Sequence, residues 1–145
     1  MKHINAVEAL HELKTPVQYI RGTSTNKLAI PVEAKSLSTG NKYKTKTLVD
    51  CGCEGSVIDR EFIEKQGIQT KKLKLPIPVY NADGTANSSG SISEHVALEI
   101  DINSHIETID FGVMNLDSHN IYLGYDWLKF HNPLIDWREG LVEFS

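Results

Sequence analysis

Leu48-Val49-Asp50-Cys51-Gly52 sets a carboxylate at the end of an apolar run and directly before a glycine. Burying such a run while holding Asp50 at its end places the group where charge is costly. An aspartate at a strand end is also an ordinary turn former, so the segments around it decide. Residues 28–34 and 43–49 are short β-type runs joined by the polar turn Ser38-Thr39-Gly40-Asn41-Lys42, and Gly55-Ser56-Val57-Ile58 reads as a third strand. Residues 59–66 predict a short helix with Asp59 as N-cap and Gly67 as its stop. Strand character returns over 77–80 and 91–102. Between them, Asn81-Ala82-Asp83-Gly84-Thr85-Ala86-Asn87-Ser88-Ser89-Gly90 is small and polar throughout, the composition of a mobile hairpin tip. Strands over 105–114, 120–123, 134–137 and 141–144, with a short helix over 125–130, complete a chain written mostly in β, as a sandwich or barrel.

Residues 1–15 predict a helix instead. Ile4, Val7, Leu10 and Leu13 share a face, Asn5 and Glu8 resemble a capping box, and Pro16 ends the pattern. With a loop over 21–26, this divides the chain into a peripheral segment, 1–25, and a domain over 26–145.

The 145 residues suffice for one domain with a core. A hydrophobic fraction of 40% and a charged fraction of 23% are those of a soluble protein, and a net charge of −4 argues against nucleic-acid binding by bulk electrostatics. No apolar run approaches the roughly 20 residues that cross a bilayer, and residues 1–6 lack the apolar region of a signal peptide. Cys51 and Cys53 sit one residue apart, a spacing that strains a disulfide and supplies at most half a metal site. They read as reduced thiols of a cytoplasmic protein. His3, His11, His95, His105, His119 and His131 lack ligand spacing and predict surface or helix-end positions, so neither metal nor cofactor is expected. Trp127 and Trp137 predict core aromatics, Asp126 and Asp136 capping or turn acids, and Lys71-Lys72-Leu73-Lys74 a solvated loop.

Asn120-Ile121-Tyr122-Leu123-Gly124 is a second apolar strand ending in glycine, and it runs straight into the helix. The order is an Asp-x-Gly loop, a polar hairpin, then apolar-apolar-Gly before a helix. With the run Leu123-Gly124-Tyr125-Asp126-Trp127-Leu128-Lys129-Phe130-His131-Asn132-Pro133-Leu134-Ile135-Asp136-Trp137, it resembles the retropepsin family over about residues 26–145. In particular, it looks like the protease domain of gypsy-type LTR retrotransposons. The resemblance implies an all-β acid-protease fold: a closed barrel with one or two short helices and half an active site per chain. It implies Asp50 as the catalytic group and therefore a homodimer. The chain agrees, since no second Asp-Cys/Ser/Thr-Gly follows an apolar strand and Asp83-Gly84-Thr85 lies in the polar tip.

Position by position, the resemblance implies that Cys51 and Gly52 support the active-site loop, that the Gly52 carbonyl meets the substrate backbone, and that Cys53 and Glu54 are the following substrate-contacting positions. It assigns Tyr80, Asn81, Ala82, Asp83 and Gly84 to a flap, and Val57, Tyr122 and Leu123 to side-chain pockets. The substrate would be an extended peptide or polyprotein, with no nucleic-acid or membrane partner, in the cytoplasm or in virus-like particles. The family carries Ser or Thr where this chain has Cys51, and that hydroxyl bonds across the dimer. A thiol is a weaker donor and acceptor, and two such contacts per dimer cost on the order of 1–3 kcal/mol. The expectation is an endopeptidase maturing a retroelement polyprotein. The alternative is a catalytically weak or inactive dimerisation or peptide-binding module. A cysteine hydrolase built on Cys51 or Cys53 lacks a histidine nearby in the sequence.

Overall fold

A computed structural model describes residues 2–5, 17–19, 28–81 and 84–144. Its strands are β1 (Lys2–Asn5), β2 (Val17–Tyr19), β3 (Leu28–Ser36), β4 (Lys42–Val49), β5 (Val57–Asp59), β6 (Lys71–Asn81), β7 (Ala86–Ile102), β8 (His105–Met114), β9 (Ile121–Leu123), β10 (Leu134–Asp136) and β11 (Leu141–Glu143). The helices are α1 (Arg60–Gln66) and α2 (Tyr125–His131).

Alternation builds the first hairpin: β3 buries Leu28, Ile30, Val32, Ala34 and Ser36 and turns the residues between them outward. It pairs antiparallel with β4 from Leu28↔Val49 to Lys35↔Lys42. The sheet runs β8-β5-β9-β4-β3-β7, and β7 returns to pair with β8, which closes a six-stranded barrel. Closure gives each of the six strands a partner on both sides over part of its length. The barrel interior holds Leu28, Ile30, Val49, Leu98, Ile109, Phe111, Leu123 and, from α2, Trp127.

β7 is 17 residues long because it serves two structures. Its C-terminal half is a barrel stave against β3 and β8, and its N-terminal half leaves the barrel to pair with β6. This hairpin covers a second apolar cluster of Leu48, Cys53, Val57, Ile77, Val79, Ile92, Met114 and Tyr122. Successive residues Leu48 and Val49 of β4 therefore enter different clusters, as the strand period requires.

Several expectations change. Lys2–Asn5 is a strand parallel to β8, not the start of a helix. The row of backbone donors and acceptors along Glu107–Asp110 offers pairing that overrides a local helical pattern. The rest of that proposed helix and the 21–26 loop lie outside the described residues. Lys71–Lys74 belongs to β6 rather than to a loop, and strand pairing accommodates the lysines by leaving them exposed. The polar hairpin tip is narrower than its composition implies, since β6 runs to Asn81 and β7 resumes at Ala86. Trp127 is fully buried, but Trp137 is 57% exposed in the turn between β10 and β11. Among the described residues no helix is long and apolar enough to cross a membrane.

Candidate active site

β4 ends on Asp50, and what holds that residue is an insertion. β9 lies between β4 and β5, parallel to the first (Leu48↔Tyr122, Val49↔Leu123) and antiparallel to the second (Val57↔Tyr122). The chain leaves β4, loops through residues 50–56 and returns as β5 on the other side of β9. The Asp50 N–H donates to the Leu123 carbonyl at 2.9 Å, which continues the β4–β9 ladder. Within the loop, the Cys53 N–H donates to the Asp50 carbonyl at 3.1 Å. The Gly52 N–H donates to Asp50 Oδ1 at 3.0 Å, so the turn that Gly52 forms also aims the carboxylate.

The start of α2 clamps the same loop. The Tyr125 N–H donates to the Cys53 carbonyl at 2.7 Å and the Asp126 N–H to the Glu54 carbonyl at 3.1 Å. Ser56 is the knot between the two segments. Its hydroxyl accepts the Gly124 N–H at 3.1 Å and donates to Asp126 Oδ1 at 2.9 Å. The Ser56 N–H reaches Asp126 Oδ2 at 3.3 Å, and Asp126 Oδ1 also accepts the Trp127 N–H at 2.8 Å. Burial pushes the Asp126 carboxyl above its ordinary pKa, against these hydrogen bonds, which pull it down. Asp126 is thus more than the turn acid its position suggests, whereas Asp136 is a turn acid that accepts the Arg138 and Glu139 N–H groups. Sequence reasoning missed Ser56. The one available signal is a small hydroxyl between Gly55 and the apolar Val57 and Ile58.

Placed in the fold, the candidate residues divide. Cys51 is exposed and Gly52 half-buried beside Asp50. Cys53 is buried in the second cluster and its thiol donates to the Gly55 carbonyl at 3.0 Å. Burial, then the charges of Asp50 and Asp126, push that thiol well above its ordinary pKa, the opposite of what a nucleophile needs. Val57, Tyr122 and Leu123 are buried within the protomer, and the Tyr122 hydroxyl donates to Asp117 Oδ1 at 3.1 Å. Tyr80 is half-buried on β6, Asn81 ends that strand, and Gly84 opens the return at φ +87°, a conformation glycine takes without strain. Ala82 and Asp83 lie outside the described residues. Glu54 carries the one anomaly: its Oε2 is buried and, among the described residues, has no hydrogen-bond partner.

The histidines are not all surface or helix-end groups. His95 Nδ1 pairs with Asp110 at 2.9 Å, and His105 and His131 converge on Glu107. Barrel closure brings these residues together, and no spacing in the sequence announces it.

The fold and its loop have counterparts among known proteins. The retroviral protease-like domain of Ddi1 from Leishmania major is similar over 84% of this chain and 90% of that one, with a TM-score of 0.58 at 17% identity. Lpg0085 from Legionella pneumophila, a protein of unknown function, is a looser likeness: TM-score 0.40 and 12% identity over 77% of this chain and 88% of that one. The PEG10/RTL1 protease domain matches residues 46–145, a span that takes in the Asp50 loop, the β6–β7 hairpin, β9 and α2. The chain therefore belongs to the PEG10/RTL1 protease-domain family and carries a retropepsin-like domain.

Proposed function

We propose that this chain is an aspartic endopeptidase that works as a homodimer and cuts extended polypeptides, including a retroelement-derived polyprotein. The observation that carries the reading is one carboxylate per chain, Asp50, at the end of a buried strand in a loop fastened on both sides by β9 and α2. Two such loops facing each other across a two-fold axis bring two carboxyls together. The pair then shares one proton, because ionising both at short range is costly. The ionised Asp50 takes a proton from water as the water oxygen attacks the scissile carbonyl, and the protonated Asp50 donates a hydrogen bond to the carbonyl oxygen. The tetrahedral diol collapses as a proton passes to the leaving amine. Water is the only co-reactant. In this reading the β6–β7 hairpin is the flap, and Tyr80, Asn81, Ala82, Asp83 and Gly84 are the residues assigned to close on the substrate. A buried oxygen without a donor is costly, so Glu54 Oε2 awaits an N–H from the substrate or from the second protomer.

The exposed Cys51, at a position where the retropepsin resemblance implies a hydroxyl, favours a second reading as a weak or inactive peptide-binding dimer. One experiment separates the two: incubation with a peptide library between about pH 4 and 7, for the unaltered chain, Asp50→Asn and Cys51→Thr. The protease reading expects cleavage that Asp50→Asn abolishes and Cys51→Thr raises. Cleavage that survives Asp50→Asn rules out the aspartic mechanism. Peptide binding without cleavage, by the unaltered chain and Cys51→Thr alike, favours the module.

A further inference from the structure

At the far end of α2 from the Asp50 loop, three side chains converge on one point. His105 and Glu107 stand two residues apart on β8 and so share a face. His131, the last residue of α2, reaches the same place. Nε2 of His131 lies 2.6 Å from Glu107 Oε2, and Nε2 of His105 lies 3.3 Å from that same oxygen. The other oxygen, Oε1, accepts the Trp127 indole N–H at 2.7 Å. Glu107 is fully buried, the His131 side chain is 2% exposed, and His105, at 22%, is the side open to solvent. Phe144 stacks on the His105 ring at 4.1 Å, and Trp127 flanks His131 at 4.9 Å. Among the described residues no lysine or arginine pairs with Glu107. The three donor atoms lie within 4.8 Å of one another.

We propose that the cluster binds a divalent transition-metal ion, zinc by ligand chemistry, through His105 Nε2, His131 Nε2 and Glu107 Oε2 with a fourth position open past His105. Two imidazole nitrogens and one carboxylate oxygen suit zinc. The Trp127 N–H is the outer hydrogen bond that orients a ligating carboxylate. Bonds of about 2.0–2.1 Å in a tetrahedron put the donors about 3.3 Å apart. The His105–Glu107 separation already meets this, and His131 has to withdraw by about 0.7 Å as its hydrogen bond gives way to a metal bond. The ion would cross-link β8 to α2 beneath Phe144. It requires nothing of the proposed proteolysis.

The test is a zinc titration of the chelator-stripped full chain by calorimetry and thermal melting, with His105→Ala, Glu107→Gln and Cys51→Ser alongside. His105→Ala removes a partly exposed ligand and spares the buried Glu107–His131 contact, so it keeps the test sound even if Glu107→Gln fails to fold. The expected result is one zinc per chain, a rise in melting temperature on binding, and full binding by Cys51→Ser. Affinity should drop at least about tenfold in His105→Ala. Cobalt(II) should give the visible spectrum of a four-coordinate site in the unaltered chain and lose it in His105→Ala, a readout that stability does not move. No saturable binding up to about 100 μM zinc, binding that His105→Ala leaves unchanged, or binding that Cys51→Ser removes would each overturn the proposal.

Discussion

A β-carbon on Gly124 would lie 2.4 Å from the Cys53 carbonyl oxygen and 2.9 Å from the Gly55 backbone. Its backbone is extended, at φ −91°, so space rather than conformation demands the glycine. The obstacles are main-chain atoms of the Asp50 loop, and none can swing aside as a side-chain tip would. Gly124→Ala should therefore destabilise the fold by about 3 kcal/mol or more, read as a lower melting temperature, and should cost activity beyond what the lost stability explains. A melting temperature within a degree or two of the unaltered chain would show that the loop gives way easily. The sequence marks Gly124 as the end of an apolar strand, but its contact with residues 53–55 depends on a chain that returns some 70 positions later.

The Ser56–Asp126 link ties the loop after β4 to the helix after β9, adding side-chain bonds to the backbone bonds that Tyr125 and Asp126 make to Cys53 and Glu54. Asp126→Ala takes the acceptor from the Ser56 hydroxyl and the Ser56 N–H, while the Trp127 N–H keeps the Gly124 carbonyl at 3.2 Å, and should cost about 2–3 kcal/mol. Asp126→Asn keeps the Oδ1 acceptor and removes a buried charge, so its cost at neutral pH should be far smaller. Because the folded-state pKa of Asp126 is raised, its effect on stability is most favourable below the unfolded-state value and is lost as pH rises through the folded one. Asp126→Asn should therefore gain on the unaltered chain as pH rises from about 3 to 7. A stability difference that stays flat over that range would remove burial as the governing effect. α1 shows the same limit of local reading. Gly67 closes it in the left-handed region, as its sequence position foretells. Asp59 occupies the N-cap position but turns its carboxylate to the Leu116 N–H at 2.9 Å, bridging to the segment after β8.

For the whole molecule, the open question is where a second copy would sit. The β10–β11 hairpin stands apart from the barrel sheet, pairs only with itself among the described residues and turns Leu134 and Leu141 outward, at 64% and 62% exposed. Trp137 adds a third exposed apolar side chain in its turn. The opposite face, Ile135 and Val142, packs on the barrel core. Leu134→Glu combined with Leu141→Glu should thus leave the protomer's stability within about 1 kcal/mol. If the hairpin is the seam of the proposed homodimer, sedimentation should show at least about a tenfold weaker dimer, and cleavage should fall with it. An unchanged dimer would move the seam elsewhere.

The Asp-x-Gly loop at a strand end, the strand-rich chain around it and the second apolar strand running into α2 were legible in the amino-acid sequence. Each is a local pattern, set by alternation, turn residues and a glycine at a strand end. Lys2–Asn5 joining the sheet, Trp137 facing water while Trp127 is buried, the Ser56–Asp126 knot and the convergence of His105, Glu107 and His131 were decided by the tertiary structure. Each depends on which distant segments barrel closure sets side by side, and neighbours of that kind leave no periodic trace along the chain. Asp50 was readable as a carboxylate at the end of an apolar strand, directly before the turn at Gly52. Its aim, set by the Gly52 N–H and by a loop pinned to β9 and α2, exists only in the folded molecule.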